Sequence, residues 1–515
     1  MIVDSPERAD ATIPGPSRSG TFRQRGAALS LLIPLVLLAV AGTLRFYRLA
    51  EPQRCYFDET YYYYQARDLR EYGVEQRFVV HPPLGKWLIA GGLQLFGVEN
   101  GSPLDQAVVD EPGGCPAREQ DENPPARARE AAEAFARRFA PALFGTLWIG
   151  VAYLAGLRLF RKRGTAAMAA LLLSVEGLAF TMSRIAMLDV FLGFWVTVGF
   201  WLLLVDRDRQ WALAPETPPP SALGELPSQL RWPRWLAGVA FGLALATKWS
   251  AVLAIAAAGL FVLTSELAWR RRMLGTVRAR LGRAVASVAT TLVLVPLVIY
   301  VASYASWFAN FESANPTQQP RQVAQVAGDW LGEQARIYRF HRDLAPDHPY
   351  RASAMTWPLM LRPVAYYWES CPPSATDPGQ NCEIPRGHVA EIAGLANPMI
   401  WWMSLPAYLF MLVLAIRRRD WVAWAILAFA ALQYFPWLVS PRPVFLFYAT
   451  PLVPFTCFAL AYAAVKAGVG PKLRWLPAAV VALALIGFLF WYPVYTGMEI
   501  SRAAWHLRMW LPSWI

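Results

Sequence analysis

Charge is scarce in this sequence. Asp, Glu, Lys and Arg make up 16% of its 515 residues, where a soluble globular chain carries about a quarter. That deficit excludes an ordinary water-soluble enzyme. Histidine and cysteine are scarce too, five of each. No His stands at ligand spacing from the cysteines, so no His/Cys metal centre is expected. There is no internal repeat, and the two halves do not match as many transporters require. No small-residue cleavage site with a polar mature start follows the first apolar block, so no cleavable signal peptide is expected.

What the chain has instead is apolar surface: 56% hydrophobic residues, with 23 tryptophans. These residues fall into blocks of about 20, the length that crosses a bilayer core as a helix. An all-α polytopic membrane protein follows. Eleven spans are expected near 27–44, 139–160, 164–182, 188–205, 235–247, 248–268, 284–308, 398–416, 421–439, 447–465 and 476–492. The fifth and sixth are read as two short helices joined by a tight outer turn, because basic residues flank both ends of that apolar run. Net charge is +12, yet the basic clusters sit at span ends, where topology rules place them. No nucleic-acid partner is expected. The same rule puts 161–163, 269–283, 417–419 and 466–475 inside, the N-terminus inside and the C-terminus outside.

The domains expected are a cytoplasmic tail (1–26), a transmembrane module (27–308) with a large external loop (45–138), an external cap (309–397) and C-terminal helices (398–515). The apolar stretch Pro82 to Val98 carries Lys86 and glycines, and reads as an interfacial or re-entrant helix. The segment 211–234 reads as an inner linker. Cys371 and Cys382 share an external loop, so a local bridge is the pairing expected among Cys55, Cys115, Cys371 and Cys382.

The chemistry-bearing residues gather on the outer side. Phe57-Asp58-Glu59 follows the first span. Its structural alternative is an Asp N-cap with Glu59 in the first helical turn. Its functional reading is a carboxylate at a membrane cavity, partly desolvated and so more basic. His81-Pro82-Pro83-Leu84-Gly85-Lys86 opens the next helix. Lys86 could meet a phosphate there, or snorkel to the interface. Arg137, Arg138, Arg184 and Asp189 stand at outer span ends, where Arg is commonly an anchor. Lys248 lies amid apolar residues, costly unless it faces a cavity or partner. Arg442 lies in a late outer turn before Phe447-Tyr448. Cations and carboxylates at one membrane face suit a lipid-linked phosphate donor, the cations stabilising the departing phosphate.

These motifs, in matching order from about residue 45 to 460, resemble the protein O-mannosyltransferases, family GT39 of the GT-C class. The resemblance is to the bacterial, actinobacterial-like branch, since residues 309–397 are too few for the MIR domain of eukaryotic members. It implies mannose transfer from polyprenyl-phosphate-mannose to Ser/Thr hydroxyls of secreted or membrane proteins, at the extracytoplasmic face of the plasma membrane. By this resemblance Asp58 is the general base and Glu59 helps hold acceptor or donor. Arg138 binds the donor phosphate with Lys86 and His81, and Arg184, Lys248, Arg442 and Tyr448 join the donor site with Asp189 in support. No cofactor or metal is implied, and coupling to the Sec translocon is compatible with an unfolded acceptor. A lipid or glycan acceptor would need the same base, so the residues leave that alternative open. A transporter or flippase would place its charges at mid-membrane, and here they gather on one face.

Overall fold

The computed structural model describes residues 19–76, 79–98, 124–212, 231–275, 281–314, 323–344, 348–373, 382 and 384–515. Most of the tail 1–26, Cys115 and the core of the 211–234 linker lie outside these residues.

The chain is a helical bundle. Its helices are α1 (Ser19–Phe46), α2 (Glu59–Tyr72), α3 (Leu84–Leu95), α4 (Pro124–Phe160), α5 (Arg163–Ser174), α6 (Gly177–Met182), α7 (Asp189–Ala212), α8 (Trp232–Leu245), α9 (Ala251–Leu274), α10 (Leu281–Ala289), α11 (Val295–Ala302), α12 (Ala305–Ala314) and α13 (Val323–Asp343). They continue with α14 (Pro398–Arg417), α15 (Trp421–Leu438), α16 (Val453–Ala467), α17 (Leu476–Thr496) and α18 (Arg502–His506). Among the described residues, eight helices are long and apolar enough to cross a membrane: Ala128–Phe160, Asp189–Ala212, Ala251–Met273, Leu281–Asn310, Pro398–Arg417, Trp421–Leu438, Leu446–Ala467 and Pro471–Thr496. The apolar part of α1, Leu32–Phe46, is shorter.

One expected span takes a different form, while the break expected within 235–268 and the short helix expected near Pro82 are found. The block at 164–182 breaks into α5 and α6, because Glu176 turns its carboxylate onto the Ala179 N–H and caps a new helix there (2.7 Å). The same carboxylate accepts from the Asn397 N–H and Trp401 Nε1 (3.1 Å each), tying this break to the start of α14. The run 235–268 is two helices, α8 and α9, with the turn between them carrying Lys248. Pro82–Val98 holds the 12-residue α3, too short to span.

Asp189–Ala212 and Leu446–Ala467 lie at the centre, almost wholly buried. On the periphery Val298, Leu409, Ile416 and Leu489 stand exposed, as lipid-facing residues do. Close packing within the bundle depends on small residues. Gly238 and Gly242, one helical turn apart on α8, face the π-helical segment Thr290–Leu294 and α11. A Cβ on Gly238 would lie 2.0 Å from the Thr291 carbonyl oxygen, and one on Gly242 would lie 2.6 Å from the Ile299 Cβ. This is the small-xxx-small spacing that lets membrane helices approach.

Among the described residues there is one β element, and it was not legible beforehand. Strand β1 (Ala365–Ser370) pairs antiparallel with β2 (His388–Ala393), and β2 pairs with β3 (Ile500–Ser501). The register shifts between Ala365 and Tyr367, so Tyr366 is the extra residue of a bulge. The sheet fastens the C-terminal segment to the 348–397 cap. Trp505 Nε1 donates to Glu391 (2.5 Å), Arg362 donates to the Ser513 carbonyl (2.9 Å) and Trp514 Nε1 donates to the Met360 carbonyl (2.7 Å). Cap and C-terminus therefore share one side of the bundle. Cys371 and Cys382 form the expected local bridge, and Cys55 is disulfide-bonded as well.

Because the obstacle at Gly238 is backbone, Gly238→Val should force α8 off the π segment. Overpacking of this kind costs about 1–3 kcal/mol or more. A lowered melting temperature in detergent is expected; a melt like wild type would mean the helices can part freely.

Candidate active site

The site is built on the N-terminus of α2. Phe57 has a positive φ of 55°, a conformation a bulky residue holds only when its surroundings impose it. Here the ring sits edge-on to Tyr366 (5.1 Å) and Phe447 (5.8 Å). Asp58 follows at the N-cap position but makes no capping hydrogen bond. Its half-buried carboxylate has no hydrogen bond or ion pair among the described residues. Burial pushes it up to about 6, with Lys248 opposing and Asp189 adding to the rise. The structural alternative of a simple helix cap therefore does not describe Asp58.

Glu59 is the opposite case. Fully buried, it accepts from Arg137 Nε (2.6 Å), Arg138 Nε (3.0 Å), Arg138 Nη2 (2.9 Å) and the Ala186 N–H (2.9 Å). Burial alone would raise its carboxyl, yet Arg138 and Arg137 hold it below the usual range. Glu59 thus bolts α2 to α4 and to the turn before α7, and it is not free to hold a substrate as expected.

Arg138 is likewise displaced from its expected role. Besides Glu59 it donates to the carbonyls of Leu49 (3.2 Å), Pro52 (2.7 Å) and Arg54 (3.0 Å). All five guanidinium N–H groups are spent, leaving none for a phosphate. Arg184 donates to the carbonyls of Arg45 (2.7 Å), Tyr47 (2.8 Å) and Arg48 (3.0 Å). It closes the C-terminal end of α1, where cations are favoured. Lys86 is fully buried, paired with Glu75 and donating to the His81 carbonyl (2.7 Å). It neither snorkels nor faces the other cations.

The remaining candidates do converge. Lys248 Nζ donates to both Asp189 oxygens (2.9 and 3.0 Å) and lies 4.9 Å from the Tyr448 ring centroid. Arg442 Nη2 donates to the Tyr448 hydroxyl (3.0 Å). Its Nη1 meets His341 Nδ1 at 2.6 Å, while its Nε has no partner among the described residues. His341 stacks near His81 (5.1 Å between centroids), and His81 near Tyr62 (6.1 Å). Burial first, then Lys248 and His341, push the His81 imidazole well below its ordinary value, so it is neutral. Asp58, Asp189, Lys248, His81, Arg442 and Tyr448 therefore share one site.

Three residues of this site escaped the sequence reading. Tyr62 stands one turn after Asp58, a spacing visible within the run of four tyrosines. Tyr366 is thrust in by the β-bulge, and its ring packs on Gly394, where a Cβ would meet the hydroxyl at 2.6 Å. His341 comes from α13 in the cap, with no local signal. Among the described residues no group of three His, Cys, Asp or Glu could hold a metal ion.

The fold defines the class. It matches the solved S. cerevisiae protein O-mannosyltransferase Pmt1-Pmt2 complex bound to the sugar donor, with a TM-score of 0.72 over 94% of this chain and 92% of that chain, at 13% identity. ArnT from Cupriavidus metallidurans in the apo state matches more loosely, with a TM-score of 0.51 over 91% and 77% at 17% identity. This is the GT-C glycosyltransferase architecture.

Sequence comparison narrows the class. Family models described as dolichyl-phosphate-mannose-protein mannosyltransferase and as the C-terminal four TMM region of protein-O-mannosyltransferase match residues 119–311 and 326–514. The polyprenol-phosphate-mannose–protein mannosyltransferase of Mycolicibacterium smegmatis is 31% identical over 98% of this chain and 95% of its own length. That of Corynebacterium glutamicum is 29% identical over 89% and 88%. The chain belongs to the protein mannosyltransferase family, as the motifs led one to expect.

The two adjacent carboxylates should respond oppositely to neutralisation. Glu59→Gln leaves two buried guanidiniums facing an amide, a loss of about 3–5 kcal/mol, seen as a lowered melting temperature. Asp58 binds its proton more tightly folded than unfolded, so its contribution is present at low pH and lost as pH rises through about 6. Asp58→Asn should therefore melt no lower than wild type, with an advantage growing between about pH 4 and 6 and level above that. A reversed ranking would mean the two roles are exchanged.

Proposed function

We propose that this protein transfers mannose from polyprenyl-phosphate-mannose to Ser and Thr hydroxyls of secreted or membrane proteins, at the extracytoplasmic face of a bacterial plasma membrane. The observation that carries the reading is the unpaired Asp58 carboxylate beside a cluster of cations whose own partners hold them in place. The names of the relatives supply donor and acceptor class.

Asp58 takes the proton of the acceptor hydroxyl. The oxygen attacks the sugar's anomeric carbon, and the bond from that carbon to the phosphate oxygen breaks with inversion. The electron pair leaves with polyprenyl phosphate, whose negative charge Lys248 and Arg442 stabilise. A phosphate is a good leaving group, so one base suffices and no second carboxyl acid is needed, unlike in glycosidases. Asp189 orients Lys248, and Glu59 with Arg137 and Arg138 aims Asp58. The reading carries with it a cytoplasmic N-terminus, eleven spans and an acceptor delivered by the Sec translocon.

Membranes given labelled polyprenyl-phosphate-mannose and a Ser/Thr-rich peptide test this. Wild type should label the peptide, and Asp58→Asn should lose a factor of about 10²–10⁴. Because the base acts deprotonated, kcat/KM should fall tenfold per pH unit below about pH 6 and level off above it. Label on a lipid or glycan instead would move the acceptor, and equal transfer by the variant would remove Asp58 from the mechanism. For orientation, an impermeant thiol reagent on intact cells should label a cysteine placed at Arg48 and spare one at Arg419.

A further inference from the structure

His341 belongs to no motif, yet it joins the cap to the cation cluster. We infer that His341 is a positioning residue for the donor phosphate, its neutral ring held in one tautomer between the Val80 carbonyl and Arg442 so that the arginine's free edge meets the phosphate. The inference rests on the functional reading above for the identity of the ligand, while its geometry stands independently.

The hydrogen-bond partners determine the tautomer. Nε2 lies 2.7 Å from the Val80 carbonyl oxygen, which can only accept, so Nε2 carries the proton. Nδ1 then keeps its lone pair and accepts from Arg442 Nη1 at 2.6 Å. A doubly protonated ring could not accept from Arg442. The charged and titratable groups facing His341 are Arg442, Lys248 and His81, with no carboxylate among them to favour an imidazolium. Burial first, and Arg442 next, push the imidazole down to about 4.

The ring is also braced. His81 (5.1 Å), Phe340 (5.4 Å) and Trp249 (6.2 Å) surround it. Trp249 follows Lys248 in the same turn, and Val80 precedes His81. One imidazole thereby links the α8–α9 turn, the strand-like lead into α3, the cap helix α13 and the Arg442 loop. Arg442 is held at Nη1 by His341 and at Nη2 by Tyr448, which leaves Nε and the second N–H of each Nη for a phosphate. An arginine pinned at both amino groups loses less rotamer entropy when it binds an anion.

The test is kinetic, on the purified full chain with polyprenyl-phosphate-mannose as the varied substrate. His341→Ala should raise the donor KM about tenfold or more, the effect of losing a hydrogen bond to a charged group, with a smaller fall in kcat because Arg442 also meets the charge of the departing phosphate. His341→Asn offers an amide oxygen to Arg442 and should recover most of the affinity. His341→Ala combined with Arg442→Ala should be no worse than Arg442→Ala alone, since the histidine acts through the arginine. An unchanged KM in His341→Ala, additive losses in the double variant, or failure of His341→Asn to recover affinity at an unaltered melting temperature would each overturn the inference. If wild type transfers no mannose to the peptide, the functional reading fails instead. Binding of polyprenyl phosphate to the same variants then tests the positioning role without turnover, and equal binding by all of them would end it.

Discussion

A buried Glu59 between two buried arginines is the constraint on which the rest of the site depends. Three elements distant in sequence meet at its carboxylate: α2, α4 through Arg137 and Arg138, and the turn before α7 through Ala186. Charges taken out of water are tolerable only when each is compensated, and the compensation here is complete. Arg138 spends its remaining N–H groups on the carbonyls of Leu49, Pro52 and Arg54, and Arg137 adds one to the Gln53 carbonyl, all in the segment that leads from α1 into α2. The loop that would otherwise be a loose connection is thereby stitched to α4. Phe57 is held in its positive-φ conformation, and Asp58 emerges with no hydrogen bond or ion pair among the described residues.

The result is a division of labour between neighbours. Successive residues on a helix diverge by about 100°, so Glu59 turns into the protein while Asp58, just before it, stays half-buried beside Lys248 and Asp189. The Glu59 carboxyl is held below the usual range by its arginines, and Asp58 is made more basic by burial, with no ion pair among the described residues to offset it. The same logic governs the cations. Arg138 is saturated by Glu59 and three carbonyls and Arg184 binds the carbonyls at the end of α1, so both serve the frame, while Arg442 is gripped at two points and keeps an edge free. A charged residue near a membrane surface is available to a substrate only if its own hydrogen-bond capacity is unfilled.

That distinction marks the limit of what could be read from the chain. The apolar blocks, the break at Lys248, the short helix at Leu84 and the Cys371–Cys382 bridge all follow from local composition, and all stand in the structure. The ion pair of Lys248 could be anticipated in kind, since a lysine at that depth demands a partner. Which arginine is saturated could not. Arg138 and Arg442 both sit at span ends on the same side, and they differ in long-range contacts, with Glu59, Leu49 and Pro52 in one case and His341 in the other. The split at Glu176 was hidden for the same reason, because its cap needs Asn397 and Trp401 from more than two hundred residues away.

The cap shows how such contacts assemble a site. Residues 348–397 and the C-terminal segment form a small sheet whose bulge delivers Tyr366 to Phe57, and α13 delivers His341 to Arg442. Neither residue is near Asp58 in sequence. Their presence means that the cap side of the bundle is covered by chain that also contributes to the site, so the carboxylate and cations are partly withdrawn from water. Shielding strengthens electrostatic stabilisation of a departing phosphate, because fixed donors in a low-dielectric cavity need no reorganisation as charge develops. A chain poor in charge thus places its few ionisable residues where the surrounding dielectric makes each of them count.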